Sequence, residues 1–231
     1  MAIYEFAYIG IYISLGMRKT RNTRSAKKHS RLRRNITNRR RTRKGGVTSK
    51  LVFISGNQGK ISELSSILSP IHVVSRDIDL PEIQTTEVEE VVKEKVMTAW
   101  NEVKSPLFVE DTGLYITSSP MNGFPGALIK FYYKKLGLKG ISKMNGGNSA
   151  YAESVIGYHD GNNVRMFKGT VKGTIASVPQ EGPHGFGWDA IFIPEENNPQ
   201  RLSFAQMSAE EKNAVSMRKR AAESFRAYLE K

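Results

Sequence analysis

The feature that most restricts how this chain can fold is the way its charge is distributed. Of the 35 lysines and arginines behind a net charge of +13, 15 fall between Met1 and Lys50, where Glu5 is the lone acid. The rest of the chain holds 20 bases against 21 acids. The basicity is therefore a property of a leader, and the body is close to neutral. Arg18 to Lys44 is rich in Arg, Lys, Asn, Ser and Thr with almost no apolar side chains. Such a stretch buries too little surface to offset the entropy of ordering it, and it is expected to be disordered. A core can form only after Gly45-Gly46, which predicts a basic extension over 1–46 and one folded domain over 47–231.

The leader opens with MAIYEFAYIGIYISLG. This apolar run is too short to span a bilayer and lacks the positive charge that precedes the apolar core of a secretory signal, so no membrane association is expected. Met17 offers an alternative start of translation. The clusters Arg31 to Arg34 and Arg39 to Lys44 suit a nuclear or organellar address, a contact with nucleic acid or another polyanion through residues 18–44, or a solvated tail with no partner. The 231 residues include no cysteine. That excludes disulfides, thiolate nucleophiles and Cys-based metal sites, and it fits a cytoplasmic protein.

From Lys50 onward the periodicity reads as a mixed α/β domain. Strands are expected at Leu51–Ile54 and His72–Asp77, with a helix from Gly59 to Leu68 between them. Thr86-Glu87-Val88-Glu89 has capping-box spacing for a helix running to Val103. Short strands Leu107–Val109 and Leu114–Ile116 flank a polar Glu110-Asp111-Thr112-Gly113 turn, and a helix spans Ala127 to Leu136. Strands follow at Ala150–Tyr158, at Val164–Phe167 and Val171–Ser177 with Lys168-Gly169 as their turn, and at Ala190–Ile193. Ser208-Ala209-Glu210-Glu211 reads as a second capping box, opening a helix that reaches the C-terminus.

Five groupings carry chemistry, and each also has an ordinary structural reading. Ser55-Gly56-Asn57-Gln58-Gly59-Lys60, between a strand and a helix, can cradle a phosphate with small residues, helix N–H groups and a lysine, or it is a plain turn. It does not have the GxxxxGK[ST] spacing of a Walker A loop. Glu110 and Asp111 are adjacent carboxylates at a strand end; with Glu82 they offer hard oxygen ligands for magnesium, or they form a solvated acidic turn. Lys95 interrupts the apolar stripe Val88, Val92, Ala99, Val103, so it either snorkels or aims an ammonium into a cleft. Gly182 to Asp189 flanks Phe186 and Trp188 with glycines, a form that can stack on a base. No HxH or HExxH spacing accompanies His184, which argues against zinc. Arg218 breaks the stripe Val215, Ala222, Phe225, Leu229 and needs an interior partner, either an anion or a fixed carbonyl, and a structural salt bridge is its ordinary reading. Lys212 and Ser216 lie close to it.

These stretches resemble the inosine triphosphate pyrophosphatase family over essentially all of 50–231. The matching motifs are Ser55 to Lys60, Ile78 to Gln84, Glu110 to Leu114, Gly123-Phe124-Pro125-Gly126 with Lys130, Phe186-Gly187-Trp188-Asp189, Ser203 to Met207, and Lys212-Asn213 with Ser216-Met217-Arg218. The resemblance implies an elongated mixed β-sheet flanked by helices, with two lobes around a nucleotide cleft, and a homodimer. It implies hydrolysis of ITP, dITP and XTP to the monophosphate and pyrophosphate. Glu82 and Asp111 would hold one Mg2+ or Mn2+, and Asp111 would activate the attacking water. Ser55 to Lys60, Lys95, Thr112, Lys130 and Lys212 would bind the triphosphate. Phe186, Gly187, Trp188, Asp189, Met217 and Arg218 would enclose and read the purine. Met217 stands where the family has His, and Gln206 where it has Glu. Loss of a histidine hydrogen bond to the base would cost about 1 to 3 kcal/mol of discrimination. Two rival functions remain open: a nucleic-acid-associated binding protein acting through the basic arm, and a pyrophosphatase for another modified triphosphate, including a pyrimidine.

Overall fold

A computed structural model describes residues 50–231; the expected disorder of the basic leader and the boundary at residues 46 and 47 lie outside the described residues. The elements follow in the order β1 (Leu51–Ile54), α1 (Gln58–Ile67), β2 (Val73–Arg76), α2 (Val88–Val103), β3 (Leu107–Ile116), β4 (Pro125–Gly126), α3 (Ile129–Asn145), β5 (Ser149–His159), β6 (Val164–Ile175), a 3₁₀ turn at Asp189–Ile191, β7 (Phe192–Pro194), α4 (Ala209–Val215) and α5 (Met217–Leu229). All seven strands join one mixed sheet of order β2-β1-β3-β5-β6-β7, with β4 beside β3. The strands β2, β1 and β3 are parallel, joined through α1 and α2, and the remaining pairs are antiparallel. Among the described residues no helix is long and apolar enough to cross a membrane.

The pleat of β3 sorts its side chains between two layers. Leu107, Val109 and Tyr115 pack with Val88, Val92, Val96 and Ala99 of α2. Phe108 points the other way, into a cluster with Leu64 of α1 and Phe225 of α5, stacked on Phe53 with ring centroids 4.5 Å apart. Further along the same strands, Leu114, Ile116, Ala150 and Ala152 join Ile129 and Ile141 of α3, and Phe192 and Phe204, in a third cluster.

Several local expectations give way. Glu110 to Gly113 is not a turn: β3 runs unbroken, and its register with β5 continues through Glu110↔Ile156, Asp111↔Val155, Thr112↔Ser154 and Gly113↔Glu153. A continuous partner strand outweighs the turn preference of polar residues. Lys168-Gly169 is likewise interior to β6. Gly169 is there because α5 lies against it: a Cβ would sit 2.0 Å from the Met217 carbonyl oxygen. The Thr86 box does not form, since Glu87 occupies the N-cap of α2 without a side-chain bond. Instead the Val88 N–H donates to the Tyr115 hydroxyl at 3.2 Å. The helix after Ala127 continues beyond Leu136 through a kink at Gly137, which adopts φ 66°. The Ser208 box does form, with Glu211, but the C-terminal helix breaks at Ser216, whose hydroxyl caps α5 by accepting from the Lys219 N–H.

Candidate active site

The crossovers through α1 and α2 both leave from carboxyl ends of parallel strands but run in opposite directions along the sheet and pack on its opposite faces, and a crevice opens beyond those carboxyl ends. The strand β1 ends at Ile54, and its pairing with β3 reaches only Phe108. From Glu110 onward β3 therefore has no β1 neighbour on that edge. A cleft of about 520 Å³ occupies this place.

Ser55 to Lys60 forms its floor. Ser55 Oγ accepts from the Asn57 N–H at 3.2 Å, and Asn57 Oδ1 accepts from the Lys60 N–H at 3.1 Å, which caps α1. Gly56 lets the Asp77 carboxylate pack against the loop; a Cβ there would lie 2.4 Å from Asp77 Oδ1, and that exposed side chain would have to turn aside. Gln58 is exposed on the first turn, and Gly59 lies under the Phe186 ring.

Lys60 reaches the exposed edge of β3. Its Nζ donates to the Glu110 carbonyl at 3.1 Å and lies 3.0 Å from Glu110 Oε2 and 3.2 Å from Asp111 Oδ1. From α2 on the opposite face, Lys95 Nζ lies 2.7 Å from Asp111 Oδ2 and also grips Glu82 Oε1. The Thr112 N–H completes the shell of Asp111, donating to Oδ1 at 2.9 Å. Burial pushes the Asp111 pKa up, but Lys60, Lys95 and these hydrogen bonds outweigh it and hold the carboxyl far below its ordinary range. Burial likewise opposes the charge on Lys60, yet Asp111 and Glu110 leave its pKa raised. On the facing wall Lys130 projects from α3, 3.9 Å from Glu82 Oε2.

Behind the cleft lies a buried charge chain. Glu110 accepts from Ser154 Oγ at 2.6 Å and from Arg218 Nε at 3.1 Å. Arg218 is 2% exposed and also binds Glu63 of α1. Lys212 Nζ is 3.9 Å from Glu63 and 2.8 Å from Asp189 Oδ2, which accepts in turn from the Phe186 N–H. The Lys212 ammonium and the Arg218 guanidinium lie 4.5 and 5.6 Å from the Phe186 ring centroid. Burial opposes ionisation of both Glu110 and Arg218, but their mutual attraction and their other partners leave the carboxyl depressed and the guanidinium more firmly protonated.

The structure thus brings Ser55, Gly56, Asn57, Lys60, Glu82, Lys95, Asp111, Thr112, Lys130, Phe186, Gly187 and Trp188 to one cleft. Asp189, Lys212 and Arg218 stand behind it with their charges internally paired. Trp188 also packs edge-on against Phe192, at 5.9 Å, within the apolar core. Met217 is 2% exposed and belongs to the same core. Glu63 is the residue that sequence reasoning missed. Its one visible signal is its position three residues after Lys60, which puts both charges on one helical face.

Residues 51–228 match the model of the Ham1 family. The chain is 38% identical over 185 residues to the dITP/XTP pyrophosphatase of Pyrococcus horikoshii, covering 78% of this chain and 96% of that protein. It is 39% identical over 186 residues to the inosine triphosphate pyrophosphatase of Yarrowia lipolytica, covering 78% and 95%. Among solved structures, the Ham1 protein of Staphylococcus aureus aligns with a TM-score of 0.60 at 28% identity, over 78% of this chain and 98% of that one.

Proposed function

This chain belongs to the Ham1 family, and from that premise we propose that it hydrolyses ITP, dITP and XTP to the nucleoside monophosphate and pyrophosphate. The observation that carries the reading is Asp111, an ionised carboxylate held between Lys60 and Lys95 at the open edge of β3 in a cleft of nucleotide size.

The donors around Asp111 suit a divalent ion. Glu82 Oε1 and Asp111 Oδ2 converge on a single positive charge, the Lys95 ammonium. Among the described residues no group of three His, Cys, Asp or Glu side chains could hold a metal. Two carboxylates such as Glu82 and Asp111 would be enough for magnesium, which completes its shell with water and phosphate. Bound there, Mg2+ or Mn2+ would neutralise phosphate charge and make a nearby water more acidic.

The chain's own residues supply the remainder. Substrate phosphates compete for Lys60 and Lys95; as they draw the two ammonium groups away, Asp111 loses its partners and becomes a better base. Asp111 takes the proton of the attacking water, the new bond forms at the α-phosphorus, and pyrophosphate leaves with the bridging oxygen. Lys130, Thr112 and the Ser55 to Gly59 loop hold the phosphates, while Phe186 and Trp188 flank the base. Asp189, Lys212 and Arg218 support the Phe186 wall from behind. Met217 acts on base choice only through packing.

The deciding experiment is pyrophosphate release with magnesium from ITP, XTP, dITP, ATP, GTP and dUTP at one concentration. Preference for ITP, dITP and XTP supports the reading. Equal cleavage of all six would mean that the pocket does not select the base, and no cleavage would refute hydrolysis. A homodimer and a cytoplasmic location, with nuclear or organellar addressing by the leader, belong to the same proposal. Contact of residues 18–44 with a polyanion predicts salt-dependent binding that disappears when residues 1–46 are deleted.

A further inference from the structure

Five carboxylates line the cleft, Asp77, Asp79, Glu82, Glu110 and Asp111, against four ammonium groups, Lys60, Lys95, Lys130 and Lys134. Three of the four cations are already engaged: Lys60 by Glu110 and Asp111, Lys95 by Glu82 and Asp111, and Lys130 by Glu82 at 3.9 Å. Lys134 alone among the cleft cations has no carboxylate partner among the described residues. It is exposed and lies four residues after Lys130 on α3, so both present on one face of that helix, about 6 Å apart along its axis. Its own stretch of sequence offers it no acid: between Asp111 and Glu153 the chain carries five lysines and no Asp or Glu.

We infer that Lys134 is a further substrate-binding residue, one that engages the terminal phosphate of the nucleoside triphosphate and, after cleavage, the departing pyrophosphate. The inference rests on the pyrophosphatase reading above. The engaged lysines surround the Glu82–Asp111 pair, where the α-phosphorus reacts, and Lys134 stands one helical turn beyond Lys130, the outermost of them along α3. A triphosphate carrying about four negative charges needs more than cations already held by carboxylates. A cation with no partner has nothing to give up when the phosphate arrives.

The test compares the full-length wild type with Lys134→Met and with Lys135→Met, whose lysine is exposed on the same helix but does not line the cleft. At low salt Lys134→Met should raise KM for ITP about fivefold with kcat nearly unchanged, as expected for loss of one exposed charge contact. KM for IDP, which lacks the terminal phosphate, should stay at the wild-type value. Inhibition by inorganic pyrophosphate should weaken, and added salt should narrow the difference. Lys135→Met should match the wild type throughout. An unchanged KM for ITP, an equal loss with ITP and IDP, or the same effect from Lys135→Met would overturn the assignment. Binding of inorganic tripolyphosphate, measured by calorimetry, separates the two claims. A wild type that hydrolyses nothing yet binds tripolyphosphate more tightly than Lys134→Met would refute the hydrolysis and retain the site; equal binding by the two proteins would refute the site.

Discussion

The guanidinium of Arg218 donates to Glu110 at 3.1 Å, joining α5 to β3 across 108 positions of sequence with both side chains withdrawn from solvent. Removing one member of such a pair leaves the other as a buried charge with too few partners. Glu110→Gln should destabilise the fold by about 3 to 5 kcal/mol, read from urea unfolding. A loss under about 1 kcal/mol would mean that Glu63 alone satisfies the arginine.

Tyr115 is 3% exposed, and its hydroxyl accepts from the first N–H of α2. Tyr115→Phe keeps the ring and its stacking on Tyr151, 4.5 Å between centroids, but strands that N–H. The expected cost is about 1 to 3 kcal/mol in chemical denaturation. Stability equal to the wild type would show that solvent reaches the helix end.

For Asp111→Asn the expected result is a kcat at least about a hundredfold lower, with an unchanged circular dichroism spectrum. The fold should survive because Lys60 retains Glu110 and Lys95 retains Glu82. Turnover near the wild-type rate would remove Asp111 from the role of base.

Acid should weaken this protein. Glu110 and Asp111 are held below the ordinary carboxylate range when folded, so they stabilise the fold above the unfolded pKa of about 4 and lose that contribution as pH falls toward their folded values. Glu153 acts in the opposite sense: burial raises its pKa, so it is a liability at neutral pH that is relieved as pH falls through its folded value. Below about pH 4 unfolding free energy should therefore drop with pH, and the slope should be shallower in Asp111→Asn. Equal slopes in the two proteins would contradict the depressed pKa of Asp111.

The sequence was most legible where a charge broke a local pattern. Lys95 and Arg218 each interrupt a helical apolar stripe, and both prove to be held by carboxylates from other elements. The Ser208 capping box is also local and forms as expected. Misreadings came where the deciding atom belonged to a distant segment. The acids at 110 and 111 resemble a turn until β5 is laid beside them, and Gly169 resembles a hairpin until α5 is packed against it. Thr86 matched the capping-box spacing, but a tyrosine hydroxyl 27 residues beyond Val88 does the capping. Glu63 gave little sign of its role because its main partner, Arg218, lies 155 positions downstream.

The early end of β1 has one more consequence. In a sheet a strand's backbone is normally spoken for by its neighbours, and here one edge of β3 is released just as the strand reaches Glu110. The lysine that fills the opening touches a main-chain carbonyl as well as both acids, so it reports on the position of the strand itself. Lengthening β1 by two residues would draw Ser55 and Gly56 into the sheet and close the opening through which a phosphate would enter. Catalytic capacity in this chain is thus set by where a strand stops as much as by which residues it carries.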